Sequence, residues 1–234
     1  MIKLGIIGAM AIEVNALKEE MTELKITQTA GMMFYEGKLE GLSVVVVECG
    51  IGKVNSALCA QVLCSNFAVT HIVNTGIAGS LNAELDIGDL VVSEDAMYHD
   101  LDATVFNYPI GQVPGLPVLQ FAADTVLADM AFAAAQQVHG GHVQKGRVAS
   151  GDQFISDSAR KDKIIADTGA LCTEMEGAAI AHAAWKNGVP FVIIRAISDK
   201  ADGSAHMDYP TFEAAAAQRC AAVTRQMAKQ LKKQ

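Results

Sequence analysis

The sequence predicts an α/β protein with a three-layer αβα architecture, in which a mixed, mostly parallel sheet lies between two layers of helices. Short runs rich in Val and Ile alternate with longer helical patterns, as in strand–helix–strand units. Runs such as Val44–Val47 are continuously apolar, which is typical of strands covered on both faces. Phe34–Glu48 has the pattern of a β-hairpin, so antiparallel neighbours are also expected.

These periodicities define the expected elements. The predicted strands are Lys3–Ile7, Phe34–Leu39, Ser43–Glu48, His71–Asn74, Asp89–Glu94, Val143–Ala149, Ala170–Cys172 and Phe191–Ala196. The predicted helices are Ile12–Met21, Lys53–Phe67, Asp124–Val138, Ser158–Asp167, Met175–Asn187 and Tyr209–Lys232. Ala103–Leu119 lacks periodicity and is expected to be a long loop inside the domain. No linker-like composition divides the chain, so one domain is expected over residues 1–234.

Charge and cysteine content exclude several classes of protein. The net charge of -8 disfavours nucleic acid and anionic membranes as partners, because like charges repel. The five cysteines lie in apolar segments without a CxxC pair, which indicates free thiols in a reducing compartment and predicts a cytoplasmic protein. The N-terminus lacks the apolar core and cleavage site of a signal peptide. No run approaches transmembrane length.

Two motifs that suggest a cofactor do not fit their patterns. Gly50–Lys53 suggests a phosphate-binding loop, but Val47 and Val54 occupy the positions where that loop needs Gly and Ser or Thr. The dinucleotide-binding pattern GxGxxG is absent after the first strand. The six histidines are scattered, without the spacing of a metal site. We therefore expect neither a cofactor nor a metal ion.

Small and polar residues gather where predicted strands end. In α/β sheets ligands bind beyond the carboxyl ends of the strands. The strand ends in question are Gly8–Glu13, Gly50–Lys53, Asn74–Gly79, Ser150–Phe154, Thr173–Gly177 and Arg195–Asp199. The sequence therefore predicts a small-molecule site along one edge of the sheet.

Most of the acidic residues in these segments allow both a structural and a functional interpretation. Glu174 and Glu176 suit the start of a helix, but two carboxylates so close together also suit the hydroxyl groups of a sugar. Arg195 lies in the middle of the apolar stretch Phe191–Ser198, where an unpaired charge is costly to bury, so it needs an acidic partner. Glu174 and Glu176 are the candidates. Asp199 is either a turn residue or a catalytic group. Glu13 alone suggests only the first turn of a helix.

The ordered set GIIGAM…E, CGIGKV, NTG-AG, SGD-F, EMEG and R-ISD resembles the purine nucleoside phosphorylase superfamily. Within it, the chain is similar to the 5'-methylthioadenosine/S-adenosylhomocysteine nucleosidases over essentially its whole length. The resemblance implies hydrolysis of the N-glycosidic bond of methylthioadenosine, S-adenosylhomocysteine and 5'-deoxyadenosine. It implies Asp199 as the acid that protonates adenine N7, and Glu13 as the group that activates the attacking water.

The resemblance also implies the groups that hold the substrate. The implied binding residues are Phe154, Ile155 and Ser198 at adenine, Met175, Glu176, Arg195 and the neighbouring Glu174 at the ribose, and Met10, Ile51, Phe106 and Tyr209 at the 5'-thio substituent. It further implies a homodimer in which Pro114 reaches the site of the neighbouring subunit. Two positions depart from the family pattern, since Ile77 replaces a Ser expected near the ribose and water, and Tyr209 replaces a common Phe.

Two other functions remain open from the sequence. The first is a phosphorolytic nucleoside phosphorylase, although an acidic Glu13 disfavours a phosphate anion beside it. The second is a non-catalytic adenine nucleoside-binding protein. Glu13, Glu176 and Asp199 together weigh against it, because binding alone does not need both an acid and a water activator.

Overall fold

The computed structural model describes residues 2–233, apart from the side chain of Met207. Its strands are β1 (Lys3–Gly8), β2 (Thr22–Thr29), β3 (Met32–Leu39), β4 (Leu42–Glu48), β5 (His71–Ser80), β6 (Leu90–Tyr98), β7 (Phe121–Ala122), β8 (Val143–Ser150), β9 (Cys172–Glu174) and β10 (Phe191–Asp199). Its helices are α1 (Ala11–Glu19), α2 (Lys53–Asn66), α3 (Thr125–Val138), α4 (Ser158–Thr168), α5 (Gly177–Asn187) and α6 (Ala205–Leu231). One 3-10 turn, Thr104–Phe106, lies in the long loop.

The strands of the described residues form one mixed sheet of ten strands. Parallel pairings join β1 to β4 and β5, β5 to β10, and β8 to β6 and β9. β10 is antiparallel to β6, and β5 is antiparallel to β9. The pairings β5–β10–β6–β8–β9–β5 therefore close into a ring of strands, and the predicted mixed α/β sheet is confirmed.

Helices cover both faces of the open part of the sheet. Side chains alternate between the two faces of a strand, and the run Val44–Val47 follows this rule. Val45 and Val47 pack in the same core cluster as buried residues of α2 and α5. Val44 and Val46 pack in the second cluster, with buried residues of α1, α3 and α6. The uninterrupted apolar run thus supplies two cores at once, which explains why it carries no polar alternation.

Several element boundaries differ from the predicted ones for identifiable reasons. β2 was not predicted, because Thr22–Thr29 is a largely exposed edge strand with polar side chains. β5 continues beyond Asn74 to Ser80, although its Gly and Ala residues resemble a loop in sequence. β9 begins two residues later than predicted, at Cys172. α6 begins at Ala205 and contains Pro210 inside the helix, a residue type that usually marks a helix start.

Candidate active site

A pocket with about 610 Å³ of empty space lies beside the end of β1 and the second half of β5, and all six strand-end segments contribute to its lining. Its lining includes most of the residues that the sequence singled out: Met10, Glu13, Ile51, Ile77, Phe154, Ile155, Glu174, Met175, Glu176, Ser198, Asp199 and Tyr209. The approach of β5 and β10, which pair side by side, brings the ends of distant segments together here.

Asp199 ends β10 and lies in the pocket lining as a buried carboxyl group. Its Oδ1 accepts a hydrogen bond from the Ala201 amide at 2.8 Å, and its Oδ2 accepts one from the Ser198 hydroxyl at 2.9 Å. Burial raises the pKa of Asp199 above its ordinary value, and these two hydrogen bonds oppose the rise. A carboxyl group that keeps its proton nearer neutral pH can serve as a general acid.

Glu13 lies in the first turn of α1, and its carboxylate is buried. Oε2 accepts hydrogen bonds from the amides of Ala9 at 2.6 Å and Met10 at 3.0 Å. Oε1 accepts one from the Ile77 amide at 3.1 Å. Burial raises the pKa of Glu13, and the nearby Arg195 charge opposes the rise. The helix-start interpretation therefore holds, and the same contacts fix the carboxylate against β5.

Gly76 occupies the narrow space between Glu13 and Arg195. A Cβ atom at this position would lie 2.3 Å from Glu13 Oε1 and 2.1 Å from Arg195 Nη1. Such contacts are well inside van der Waals distance, so any side chain here would displace one of the two charged groups. The glycine lets the buried carboxyl group of Glu13 and the buried guanidinium of Arg195 approach the same stretch of β5.

Arg195 lies fully buried on β10 and organises the acidic side of the site. It donates a hydrogen bond to Asn74 Oδ1 at 2.6 Å and forms an ion pair with Glu174. Glu174 also accepts hydrogen bonds from the Ser150 hydroxyl and from the amides of Glu176 and Gly177 at the start of α5. Of the two acids expected to neutralise Arg195, Glu174 is the one that pairs with it. Glu174 thereby ties Arg195 to Ser150 and to the start of α5.

Glu176 is the second acid of the pair and keeps one oxygen free of a close partner. Its Oε1 accepts a hydrogen bond from the Gly52 amide at 2.8 Å. Its Oε2 lies 3.9 Å from Arg195 Nη2, beyond hydrogen-bond distance. Burial and the neighbouring Glu174 raise the pKa of Glu176 to about 8. Oε2 therefore remains available to a molecule bound in the pocket that Glu176 lines.

Apolar and aromatic groups form the other wall of the pocket. Phe154 stands edge-on to Tyr209, with 5.5 Å between the ring centroids, and about half of its surface is exposed. The Tyr209 hydroxyl donates to Met10 Sδ at 3.3 Å. Ile155 is buried beside Phe154. An exposed aromatic face at a pocket rim suits a planar heterocycle, since stacked rings attract one another.

No group of His, Cys, Asp and Glu in the part of the chain described by the structure is arranged to hold a metal ion. No described helix is both long enough and apolar enough to cross a membrane.

Comparison with known proteins gives the family to which this chain belongs. A model of the phosphorylase superfamily matches residues 3–229. The 5'-methylthioadenosine/S-adenosylhomocysteine nucleosidase of Halalkalibacterium halodurans is 44% identical over 213 residues, which cover 91% of each chain. The chain belongs to this nucleosidase family of the phosphorylase superfamily.

Solved structures of the family have the same fold. The nucleosidase from Neisseria meningitidis, in complex with methylthio-immucillin-A, is similar with a TM-score of 0.95 and 37% identity, covering 98% of this chain and 100% of that one. The nucleosidase from Colwellia psychrerythraea, in complex with adenine, gives a TM-score of 0.94 and 39% identity, covering 98% of this chain and 96% of that one.

Three residues implied by the family resemblance lie outside the pocket lining of this chain. Arg195 is behind the lining, where it contacts Glu174 and Asn74. Phe106 ends the 3-10 turn and is largely exposed, away from the pocket. Pro114 is exposed in the same long loop. Phe106 was expected to line the pocket, and in this chain the long loop carries its side chain to the surface instead.

Several groups of the site were not singled out from the sequence. Asn74 and Ser150 hold Arg195 and Glu174, and the backbone amides of Gly52 and Ile77 hold Glu176 and Glu13. A backbone amide leaves no trace in a residue pattern. Asn74 and Ser150 lie in motifs that the family shares, NTG and SGD, which is the signal that could have found them.

Ile77 departs from the family pattern, and its environment predicts the effect of restoring Ser. Its side chain is 7% exposed, lines the pocket and packs in the core cluster that contains Val14 and Leu17. For Ile77→Ser we expect a folded enzyme with unchanged or raised turnover of methylthioadenosine, and a loss of about 2 kcal/mol or more in unfolding free energy from the lost packing. Adenine release and urea unfolding measure the two effects.

Ile77→Val is the matched control for this variant, because it keeps the apolar character and loses one methylene, at a cost of about 1 kcal/mol. A clear drop in turnover for Ile77→Ser, with Ile77→Val unaffected, would contradict the prediction and mark Ile77 as adapted to this enzyme's own substrate.

Proposed function

We propose that this protein hydrolyses the N-glycosidic bond of 5'-methylthioadenosine and S-adenosylhomocysteine, releasing adenine and the 5'-thioribose. The observation that carries the proposal is the placement of two buried acids along β5. Asp199 Oδ1 lies beside Gly79 and Glu13 Oε1 beside Gly76. Gly76 and Gly79 are three positions apart on β5, and both carboxyl groups line the same pocket. A general acid for the leaving group and a base for the water are the two groups that hydrolysis needs, and this pocket offers both.

The proposed roles follow the contacts. Asp199, with Ser198 beside it, protonates adenine N7, so that the base leaves as a neutral molecule. Glu13 positions and deprotonates the attacking water. Glu176 Oε2 and Met175 hold the ribose, whose hydroxyl groups need an acceptor at that point. The buried carboxylates also stabilise the ribosyl cation of the transition state, which carries positive charge.

The remaining pocket residues suit the two ends of the substrate. Phe154 stacks on adenine and the Ile155 backbone contacts its edge. Met10, Ile51 and Tyr209 lie around the 5'-substituent, and their apolar surface suits a thioether. We include 5'-deoxyadenosine as a substrate, because its 5'-methyl group needs no polar partner there.

Charge favours water over phosphate as the nucleophile. Glu13, Glu174 and Glu176 bring three carboxyl groups to the site. Arg195 is already paired with Glu174. No Lys or Arg stands among the described residues that line the pocket. A phosphate anion entering this pocket would find no free cation among the described lining residues, whereas a water molecule needs none.

The experiment that tests the proposal compares nucleosides side by side in phosphate-free buffer and with added phosphate. We expect free adenine from methylthioadenosine and S-adenosylhomocysteine at rates that do not depend on phosphate. Ribose 1-phosphate products would establish a phosphorylase instead. Saturable adenine binding without release of adenine from any nucleoside would establish a binding protein.

We further propose a homodimer in which Pro114 reaches the neighbouring site. Val54 and Leu58 of α2 and Val105 and Phe106 of the long loop are exposed apolar side chains. The α2 residues border a mostly apolar cleft with about 1200 Å³ of empty space. Exposed apolar side chains gathered on one side of a protein are typical of interfaces between proteins. Light scattering measures the mass in solution, and a monomer at assay concentration would contradict the proposal.

The domain organisation and location are proposed on related grounds. A single domain over residues 1–234 is supported by the sheet, which takes strands from Lys3 to Asp199, and by α6, which packs on it. A cytoplasmic location is supported by five free cysteines, four of them buried, which suit a reducing compartment.

A further inference from the structure

The start of α2 makes a contact on which the ribose carboxylate depends. Gly52 precedes the helix with φ 99°, a conformation that favours glycine, and its amide donates to Glu176 Oε1 at 2.8 Å. Amides at a helix N-terminus stabilise negative charge. Any movement of this turn would remove a hydrogen bond that supports the charged form of Glu176.

A closed ring of three residues holds that turn from the outside. The Lys53 amide donates to Asp152 Oδ1 at 2.8 Å, and the Asp152 amide donates to Asp100 Oδ2 at 2.9 Å. The Lys53 ammonium completes the ring, at 2.7 Å and 2.6 Å from the two oxygens of Asp100. The ring thus ties the first residue of α2 to the loops that follow β6 and β8.

The ion pair of the ring is partly buried, and the turn at Gly52 is in close contact with Asp152 of the ring. The Lys53 and Asp100 side chains are 23% and 13% exposed, so their attraction is screened less than that of a surface pair. A Cβ at Gly52 would lie 3.1 Å from Asp152 Oδ1, so the turn and the loop after β8 are in close contact. That loop carries Gln153, Phe154 and Ile155 into the pocket.

We infer that Lys53 and Asp100 are positioning residues for nucleoside hydrolysis: their ion pair holds the Gly52 amide on Glu176 and the loop of Phe154 against the pocket. Neither residue lines the pocket itself. Lys53 instead borders the apolar cleft on the other side. The inference deepens the proposed function and rests on it, since it assigns the ring a role in binding the nucleoside of that reaction.

The pKa of Glu176 can be followed through the pH dependence of kcat/KM. A merely structural role of Lys53 and Asp100 would leave that pH dependence unchanged. The charged and titratable groups facing Glu176 are Glu174 from β9, Arg195 from β10, Glu13 from α1 and Cys49 after β4. Burial and Glu174 raise the pKa of Glu176, while Arg195 and the Gly52 amide lower it. Loss of the Gly52 contact therefore raises this pKa further, so the ionised acceptor forms only at higher pH.

Asp100→Asn tests the inference, because it removes the charge and keeps the shape. We expect KM for methylthioadenosine to rise about tenfold at neutral pH, the value of one hydrogen bond to a charged group. We expect kcat to change by less than about threefold, since Asp199 and Glu13 are untouched. The acidic limb of kcat/KM moves to higher pH. Lys53→Met, which removes the other charge, gives the same three changes.

Asp95→Asn is the matched control. Asp95 pairs with Arg147 at 2.6 Å, joins the same two strands, β6 and β8, and is 18% exposed. It does not line the pocket. We expect this variant to lose stability without a change in KM or in the acidic limb. Equal changes in Asp95→Asn and Asp100→Asn, or a wild-type KM in Asp100→Asn and Lys53→Met, would overturn the inference.

Hydrogen exchange gives a readout that does not need turnover. In Asp100→Asn the amides of residues 50–56 are expected to exchange faster than in the wild type, whereas in Asp95→Asn they exchange at the wild-type rate. Unchanged protection in Asp100→Asn overturns the positioning role. Failure of the wild type to release adenine overturns the proposed function alone, so the two failures are distinguishable.

Discussion

Asp199→Asn is expected to lower kcat for methylthioadenosine by about a thousandfold, the middle of the range for removing a general acid. The asparagine keeps the shape of the side chain and can still bond to the Ala201 amide and the Ser198 hydroxyl, which hold Asp199 now. It cannot deliver a proton to the departing adenine. Nucleoside affinity is expected to change by less than about tenfold, the value of one neutral hydrogen bond.

The measurements for this variant are steady-state adenine release and calorimetric binding of methylthioadenosine. In the wild type, kcat should fall as pH rises through the pKa of Asp199, which burial places above its ordinary value, because only the protonated acid donates. The residual activity of Asp199→Asn should lose that dependence.

Asp202→Asn, in the loop that follows Asp199 but outside the pocket lining, is the matched control and should stay within about twofold of wild type. Near-normal turnover in Asp199→Asn would remove the assignment of Asp199 as the acid.

Glu13→Gln is expected to lower kcat by about a hundredfold or more, because an amide does not accept the proton of the attacking water. The variant should also lose stability. The carboxylate accepts hydrogen bonds from three backbone amides, and the amino group of Gln would face one or more of these donors. An unmatched buried donor costs about 1–3 kcal/mol.

Adenine release and thermal unfolding measure the two effects of Glu13→Gln. Glu20→Gln is the control, since Glu20 follows the same helix but is exposed and pairs with Arg225 at the surface. Full turnover in Glu13→Gln, with the expected loss of stability, would show that Glu13 is a structural helix-start residue and that another group activates the water.

Much of the fold follows from local patterns in the sequence. The run Val44–Val47 predicts a strand covered on both faces, because side-chain alternation is a local property. The extension of β5 to Ser80 could not be predicted, since Gly76 and Gly79 are there to admit other residues and not to favour a strand. The closure of β5, β10, β6, β8 and β9 into a ring depends on pairings between segments far apart in the chain.

In the candidate site, too, some residues could be predicted from the sequence and others depend on the three-dimensional arrangement. Glu174, Glu176 and Asp199 stand out because acids that follow apolar strands need a reason to be there. The partner of Arg195 could be narrowed only to Glu174 or Glu176, because the choice depends on how β9 and β10 lie in space. Gly52 and Ile77 contribute backbone amides, and such a contribution is independent of the residue type that a pattern can detect.

The ring of strands also bears on how the enzyme is made. β5 must wait for β10, which is synthesised more than a hundred residues later, before their pairing Phe191↔Ile72 to Asp199↔Gly79 can form. Tyr209 arrives later still. A ribosome therefore carries no active fragment until nearly the whole chain has emerged, and β5 spends that interval with an unpaired edge. An unpaired strand edge promotes aggregation. We therefore expect added chaperones to raise the yield of folded enzyme during expression, even if the finished enzyme is stable.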